Sequence, residues 1–375
     1  MRKYLWIIRV LVIFTAVHIF LNIWMWAVRQ VIPAGPPPGL TDLYKGVPLE
    51  TNPWLEPWQR WDTPQYQAIS EHGYTAFNTA LFTPPLYPLL MNLVSHLIGG
   101  NTLLAGMIVS GIACLLCLVA FFKLTIFEFN DENLARRAVL YLAVFPTALF
   151  LFAAYTESLF LLGAMLCFLC VRQKKWAWAG IWGAVVALTR SPGILIIIPL
   201  GWALWSAWRT GDHKGWLAPV ITLSGAALFP GYVFIGLRLP PSAILAAIAR
   251  GGTLAFPGWN MVEAAVRILH GQLVAENLIE LAFTLFSIVL TFFIWKKLPR
   301  LYGVYAVTLM LLFLTRLGSP QPLVSMARYA IEIFPAFMVL AAWGRRPWIN
   351  RLILYLSWLG LLFFSAEFAI WGWVG

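Results

Sequence analysis

Apolar stretches of about 15 to 25 residues recur from one end of this chain to the other, and nothing else constrains its folding as strongly. Each is long enough, or nearly so, to cross ~30 Å of hydrocarbon as a helix. Backbone amides in hydrocarbon must bond to one another, so runs of this length specify helices rather than exposed loops. Of the 375 residues, 61% are hydrophobic and 11% charged, against roughly 25% charged in a soluble domain. A water-soluble core of this size is excluded. The chain reads as an all-α integral membrane protein, a polytopic helical bundle.

The formal net charge is +11, yet the basic residues fall in short clusters between apolar runs rather than along one face or tail. That pattern orients a membrane protein and does not predict nucleic-acid binding. Six clusters alternate with the apolar stretches: the N-terminus; Lys123 with Arg136 and Arg137; Arg172 with Lys174 and Lys175; Arg209 with Lys214; Lys296, Lys297 and Arg300; and Arg345, Arg346 and Arg351. Placing all six in the cytoplasm gives about 11 spans in a single transmembrane domain over residues 1–375, near 5–28, 101–127, 138–154, 157–171, 176–190, 193–208, 216–236, 277–295, 301–316, 329–343 and 352–373. The first run comes after Arg2, Lys3 and Arg9 and reads as a retained anchor with a cytoplasmic N-terminus.

The parity requires that residues 84–98 lie along the outer membrane surface instead of crossing. A large first outer loop then covers residues 29–100, opening with the turn-rich "PAGPPPG", and a second covers 237–276. Residues 138–154 and 157–171 read as a tight helical hairpin. The four cysteines form two C-x-x-C pairs, Cys114 with Cys117 and Cys167 with Cys170. Embedded in apolar helix, they behave as small hydrophobes, and no metal is predicted. The compact chain without an evident retention signal suggests a prokaryotic cell membrane.

The first outer loop holds "RWDTPQYQAISEHGY". Asp62 before Thr63 and Pro64, with Gln65 three places on and Gly73 later, reads as a helix start and stop with a capping box. Asp62 is thus expected either as an N-cap or, facing outward beside Trp61 with Tyr66 one turn on, as a general base; the two are compatible. Glu157 comes directly after Thr156 at a helix start, where a carboxylate complements the helix dipole.

Several stretches carry a resemblance. "WD" followed by "ISEHGY" and "PPLYPLL", then "FPTALFLFAAYTESLF" at 145–160, "ALTRSPG" at 187–193 and "ARYAIEIFPAF" at 327–337 stand in the order seen in the PIG-V family of mannosyltransferases, within the GT-C superfamily. The sequence resembles that family at about four separated places. It departs where Thr156 replaces a serine and where Thr83 and Pro84 precede Pro85 without an aromatic.

The resemblance implies a GT-C-like fold. It also implies a sugar, mannose above all, carried on a polyprenyl phosphate and transferred with inversion to a glycan or glycolipid hydroxyl at the outer face. The lipid-linked sugar is then a substrate, and no cofactor is required. The chemistry needs a base for the acceptor and cations for the departing phosphate. Asp62 is the candidate base, and Glu157 the group that orients the acceptor or assists it. Arg190 and Arg328 are the candidates for the donor phosphate, since a guanidinium forks onto phosphate oxygens. Trp61, Tyr66 and Tyr155 are expected to contact substrate.

Each assignment has a plainer counterpart. The arginines can snorkel to lipid headgroups. Glu332, one turn from Arg328, can form a local ion pair with it. Arg316 is a spare cation. The competing function is a transporter or lipid flippase, which shares the many-span architecture but usually shows ionisable groups near mid-membrane and paired halves.

Overall fold

The computed structural model describes residues 5–35, 46–74, 83–238, 240, 242, 253–318, 321–323, 325–372 and 374. Part of the "PAGPPPG" segment and part of the stretch 237–276, expected as a second outer loop, lie outside these residues. The described chain is nearly all helical. Among the described residues, six helices are long and apolar enough to cross a membrane: Leu5–Val31, Thr102–Phe129, Ser191–Arg209, His213–Gly236, Val274–Lys297 and Pro347–Ala369. The protein is a multi-pass membrane protein. Its chain divides into two compact units, the first drawn from 1–74, 85–169 and 340–374, the second from 75–84 and 170–339.

In the first unit, Leu5–Val31 packs on Pro347–Ala369, Thr102–Phe129 and Glu132–Ala143. Side chains cap the helices where sequence calls for it: Asn101 accepts from the Leu104 amide and Asp131 from that of Leu134. Asn130 ends the preceding helix in the left-handed conformation, which asparagine tolerates better than most residues. Arg345 reaches Asp131 at 3.0 Å.

The helix expected over 138–154 does not form. Glu132–Ala143 begins earlier, takes Arg136 and Arg137 into its body, and ends before Phe145 and Pro146. Proline lacks the N–H that the next turn requires and disfavours helix in the residue before it. The chain passes instead through a short 3-10 turn, Ala148–Leu151, and a bend that leads to the helix Glu157–Arg172. Residues 148–156 are all buried. Non-helical backbone is tolerated at such a place because protein, not lipid, surrounds it. Gly360 lets the last helix approach, since a Cβ there would lie 2.7 Å from Pro146 Cβ.

Leu86–Leu97 is a separate helix of 12 residues. It rises about 18 Å, short of a crossing. Tyr87, Met91 and Ser95 are buried on one side while Leu89, Leu93 and Leu97 are exposed on the other.

In the second unit, Trp176–Thr189 lies tightly against Leu217–Ala226. The approach needs small residues: a Cβ on Gly183 would fall 2.2 Å from Thr222 Oγ1, and that hydroxyl donates to the Gly180 carbonyl. Close backbone contact of this kind replaces the hydrophobic effect as glue between membrane helices. The span expected at 329–343 is bent by 84° between Met326–Glu332 and Pro335–Trp343, where Pro335 interrupts the hydrogen-bond ladder. Two-residue strands, Thr253–Leu254 and Arg316–Leu317, pair antiparallel beside Trp259–Leu269.

Candidate functional site

In the first unit, the segment leading to Asp62 is tied down by Arg60. This buried guanidinium pairs with the Glu56 carboxylate, donates to the Ala369 carbonyl at 2.8 and 3.1 Å, and lies over the Trp371 ring. Trp61 comes next with φ +52, a region sparsely populated by residues other than glycine. Its ring meets Trp371 edge to face.

Asp62 then occupies the position before the helix Thr63–His72, with Pro64 in the first turn. Gly73 closes the helix at φ +71, as its position after the last turn predicts. The capping expectation needs correction. Asp62 already has helical φ and ψ, and its side chain makes no cap hydrogen bond. Its carbonyl starts the helix by accepting from the Tyr66 amide. The carboxylate, on a partly exposed residue, is therefore not committed to holding the helix end.

Tyr155 is brought directly to Asp62. Its hydroxyl accepts from the Asp62 amide at 3.1 Å and donates to the Arg60 carbonyl at 3.2 Å. Tyr66 packs edge to face on both Tyr155 and Tyr87. Ser110 donates to the Tyr155 carbonyl and shares a 2.8 Å hydrogen bond with the Tyr87 hydroxyl. Tyr155, expected from sequence to contact substrate, is 0% exposed, with its hydroxyl engaged on two main-chain groups. Glu157 opens its helix as expected and is also fully buried.

In the second unit, Arg190 stands at a break. The helix Trp176–Thr189 ends there in extended backbone, and Ser191–Ile196 resumes as a 3-10 turn with Pro192 near its start. The turn is closed by the Gly193 amide bonding to the Arg190 carbonyl. A Cβ on Gly193 would stand 2.1 Å from the Val186 carbonyl oxygen, so only glycine fits. Arg190 Nη2 meets Glu332 Oε1 at 2.9 Å, and the guanidinium lies over the Tyr329 ring.

Arg328 is buried in the short helix Met326–Tyr329. The Ala327 amide beside it donates to Glu280 Oε2 at 3.0 Å. Arg316 Nη1 reaches the Tyr329 hydroxyl at 3.2 Å, and Asn260 holds the Phe313 and Arg316 carbonyls. Tyr329 thus joins Arg190 and Arg316. Glu332, expected as a local partner of Arg328, contributes its carboxylate to Arg190.

Several of these groups are not evident in the sequence. Arg60, Glu280 and Trp371 act through contacts distant along the chain, whereas Glu56 stands four residues before the Arg60 it pairs with, a spacing that sequence could have flagged. Tyr329 had a signal, as the residue after Arg328 in "ARY".

The fold and these two clusters define a polytopic helical membrane protein with a carboxylate on a structured first loop and a buried arginine cluster elsewhere. The sequence profile of the family described as mannosyltransferase (PIG-V) matches residues 3–204, more than half the chain and a stretch that includes Asp62, Glu157 and Arg190. The chain belongs to this family of glycosyltransferases. No curated protein matches it.

Among solved structures, it is similar to an oligosaccharyltransferase of Archaeoglobus fulgidus in complex with Zn and sulfate, with TM-score 0.43 and 11% identity over 94% of this chain and 53% of that one. It is also similar to the oligosaccharyltransferase AglB of the same organism in complex with an inhibitory peptide and a dolichol-phosphate, with TM-score 0.43 and 12% identity over 95% and 55% of the two chains. This chain spans about half the length of both.

Proposed function

We propose that the protein is an inverting membrane glycosyltransferase of GT-C type that moves a hexose, mannose by family, from a polyprenyl phosphate to a hydroxyl of a glycan or glycolipid. The observation that carries this reading is the setting of Asp62. Its backbone is bonded on a structured loop, it stands at the start of a helix that its side chain does not cap, and it falls within the stretch that matches the family.

In this scheme Asp62 takes the proton of the acceptor hydroxyl as that oxygen attacks the anomeric carbon. The bond from the sugar to the phosphate oxygen breaks, and polyprenyl phosphate leaves with the electron pair. A β-linked donor gives an α-linked product. Arg190 and Arg328 stabilise the charge that gathers on the phosphate, with Glu332 holding the Arg190 fork in place. Glu157 orients the acceptor or supports the base. The lipid-linked sugar is substrate, and no resident cofactor or metal enters the scheme.

We place the protein in a prokaryotic cell membrane with its N-terminus cytoplasmic, about 11 crossings and the reacting groups on the outer side. Counting that many requires shorter apolar helices such as Trp176–Thr189 and Arg300–Thr315 to cross as well, and the stretch 138–154, which is not one helix, to cross in broken form.

The test is incubation of purified protein with acceptor lipids and a panel of polyprenyl-phosphate hexoses. Consumption of one of them, with release of polyprenyl phosphate, is expected. Consumption of none, or movement of the intact donor between leaflets without cleavage, contradicts the proposal and favours a flippase.

A further inference from the structure

Tyr155 touches the backbone on both sides of Trp61. Its hydroxyl takes the Asp62 N–H and gives its own proton to the Arg60 carbonyl. These are the two main-chain groups that flank a residue at φ +52. A strained residue of this kind persists only where its surroundings over-determine it, and here they do. Arg60 is anchored to the Ala369 carbonyl and to Glu56. The Trp61 ring is set against Trp371, itself at φ +68.

The phenol is held as firmly as the peptide it grips. Its ring is packed by Phe150, Phe368 and Tyr66, and its own carbonyl is bonded by Ser110. Relaxing Trp61 towards an ordinary φ would rotate the peptide that leads into Asp62 and re-aim the carboxylate. A misplacement of about 1 Å at a reacting group is enough to cost orders of magnitude in rate.

We propose that Tyr155 is a positioning residue: its hydroxyl clasps the strained Trp61 segment and so sets the direction of the Asp62 carboxylate, without touching the sugar. The inference rests on the reading of Asp62 as base. It also accounts for a tyrosine here where phenylalanine would pack equally well.

The experiment measures initial rates of purified full-length Tyr155→Phe, Asp62→Asn and the double variant with polyprenyl-phosphate mannose and an acceptor lipid. Tyr155→Phe is expected to lower kcat about tenfold while KM for donor and acceptor stays within about twofold. The double variant is expected to fall no further than Asp62→Asn alone. An unchanged kcat in Tyr155→Phe, or a raised KM with kcat intact, overturns the positioning role. If Asp62→Asn keeps the normal rate, it is the base assignment that fails, whatever Tyr155→Phe does. Should Tyr155→Phe not fold, Ser110→Ala loosens the same tyrosine from behind. It is expected to lower kcat about two- to threefold with KM unchanged, and an unchanged kcat there overturns the proposal equally.

Discussion

Arg190 and Glu332 form a buried ion pair at 2.9 Å, their side chains 8% and 0% exposed. Pairing two charges out of water recovers what desolvation costs only while both members are present. Glu332→Ala therefore leaves a buried guanidinium without that carboxylate and is expected to destabilise the protein by about 3 kcal/mol. The thermal midpoint in detergent checks this, and a variant as stable as the parent would show the pair to be dispensable.

Arg190→Lys separates charge from geometry. Lysine keeps the positive charge but loses the planar fork that meets two oxygens at once. If the donor phosphate uses Arg190, donor KM rises about tenfold while acceptor KM stays the same. Unchanged donor dependence would assign Arg190 to its pairing with Glu332 alone.

Gly193→Ala acts on the same arginine from the backbone. The added methyl would collide with the Val186 carbonyl, and backbone cannot yield as a side-chain tip can. The expected result is a loss of about 1–3 kcal/mol in thermal unfolding, with weakened donor use as the Arg190 turn shifts.

Asp131 gives the first unit an acid-sensitive joint. The Leu134 amide that it caps holds its carboxyl below the usual range, burial pushes the other way, and Arg345 adds a smaller lowering. A carboxyl lowered on folding stabilises the protein above its unfolded value, near 3.9, and loses that contribution as pH falls through its folded value. Asp131→Ala is expected to cost about 1 kcal/mol near neutrality. The difference in thermal midpoint from the parent should shrink as pH is taken from about 6 to about 3. A constant difference would assign the cost to something other than the ionised cap.

The long helices are legible in the sequence because hydropathy and length act locally. The expected spans 5–28, 101–127 and 277–295 coincide with Leu5–Val31, Thr102–Phe129 and Val274–Lys297 to within three residues at their ends. The departures sit at Pro146 and Pro335, where apolar composition continues but the hydrogen-bond ladder cannot. Hydropathy alone does not register that interruption. Residue type and position single out the candidate groups, yet not their partners. Helical spacing offers Glu332 to Arg328 but gives no sign of Arg190, far away along the chain, which the carboxylate also reaches from the 3-10 turn after Tyr329. An aromatic residue such as Tyr155 suits a sugar face; its burial and two backbone hydrogen bonds arise from packing that no local pattern encodes.

The central claim, that Asp62 is the base for transfer from a lipid-linked sugar, is tested most directly by the turnover of Asp62→Asn. Asparagine is nearly isosteric and an equally good residue at a helix start, so folding is expected to persist. The account predicts a drop in kcat of at least about a hundredfold on polyprenyl-phosphate mannose, with a thermal midpoint close to the parent's. A folded variant that turns over at the parent's rate would contradict it.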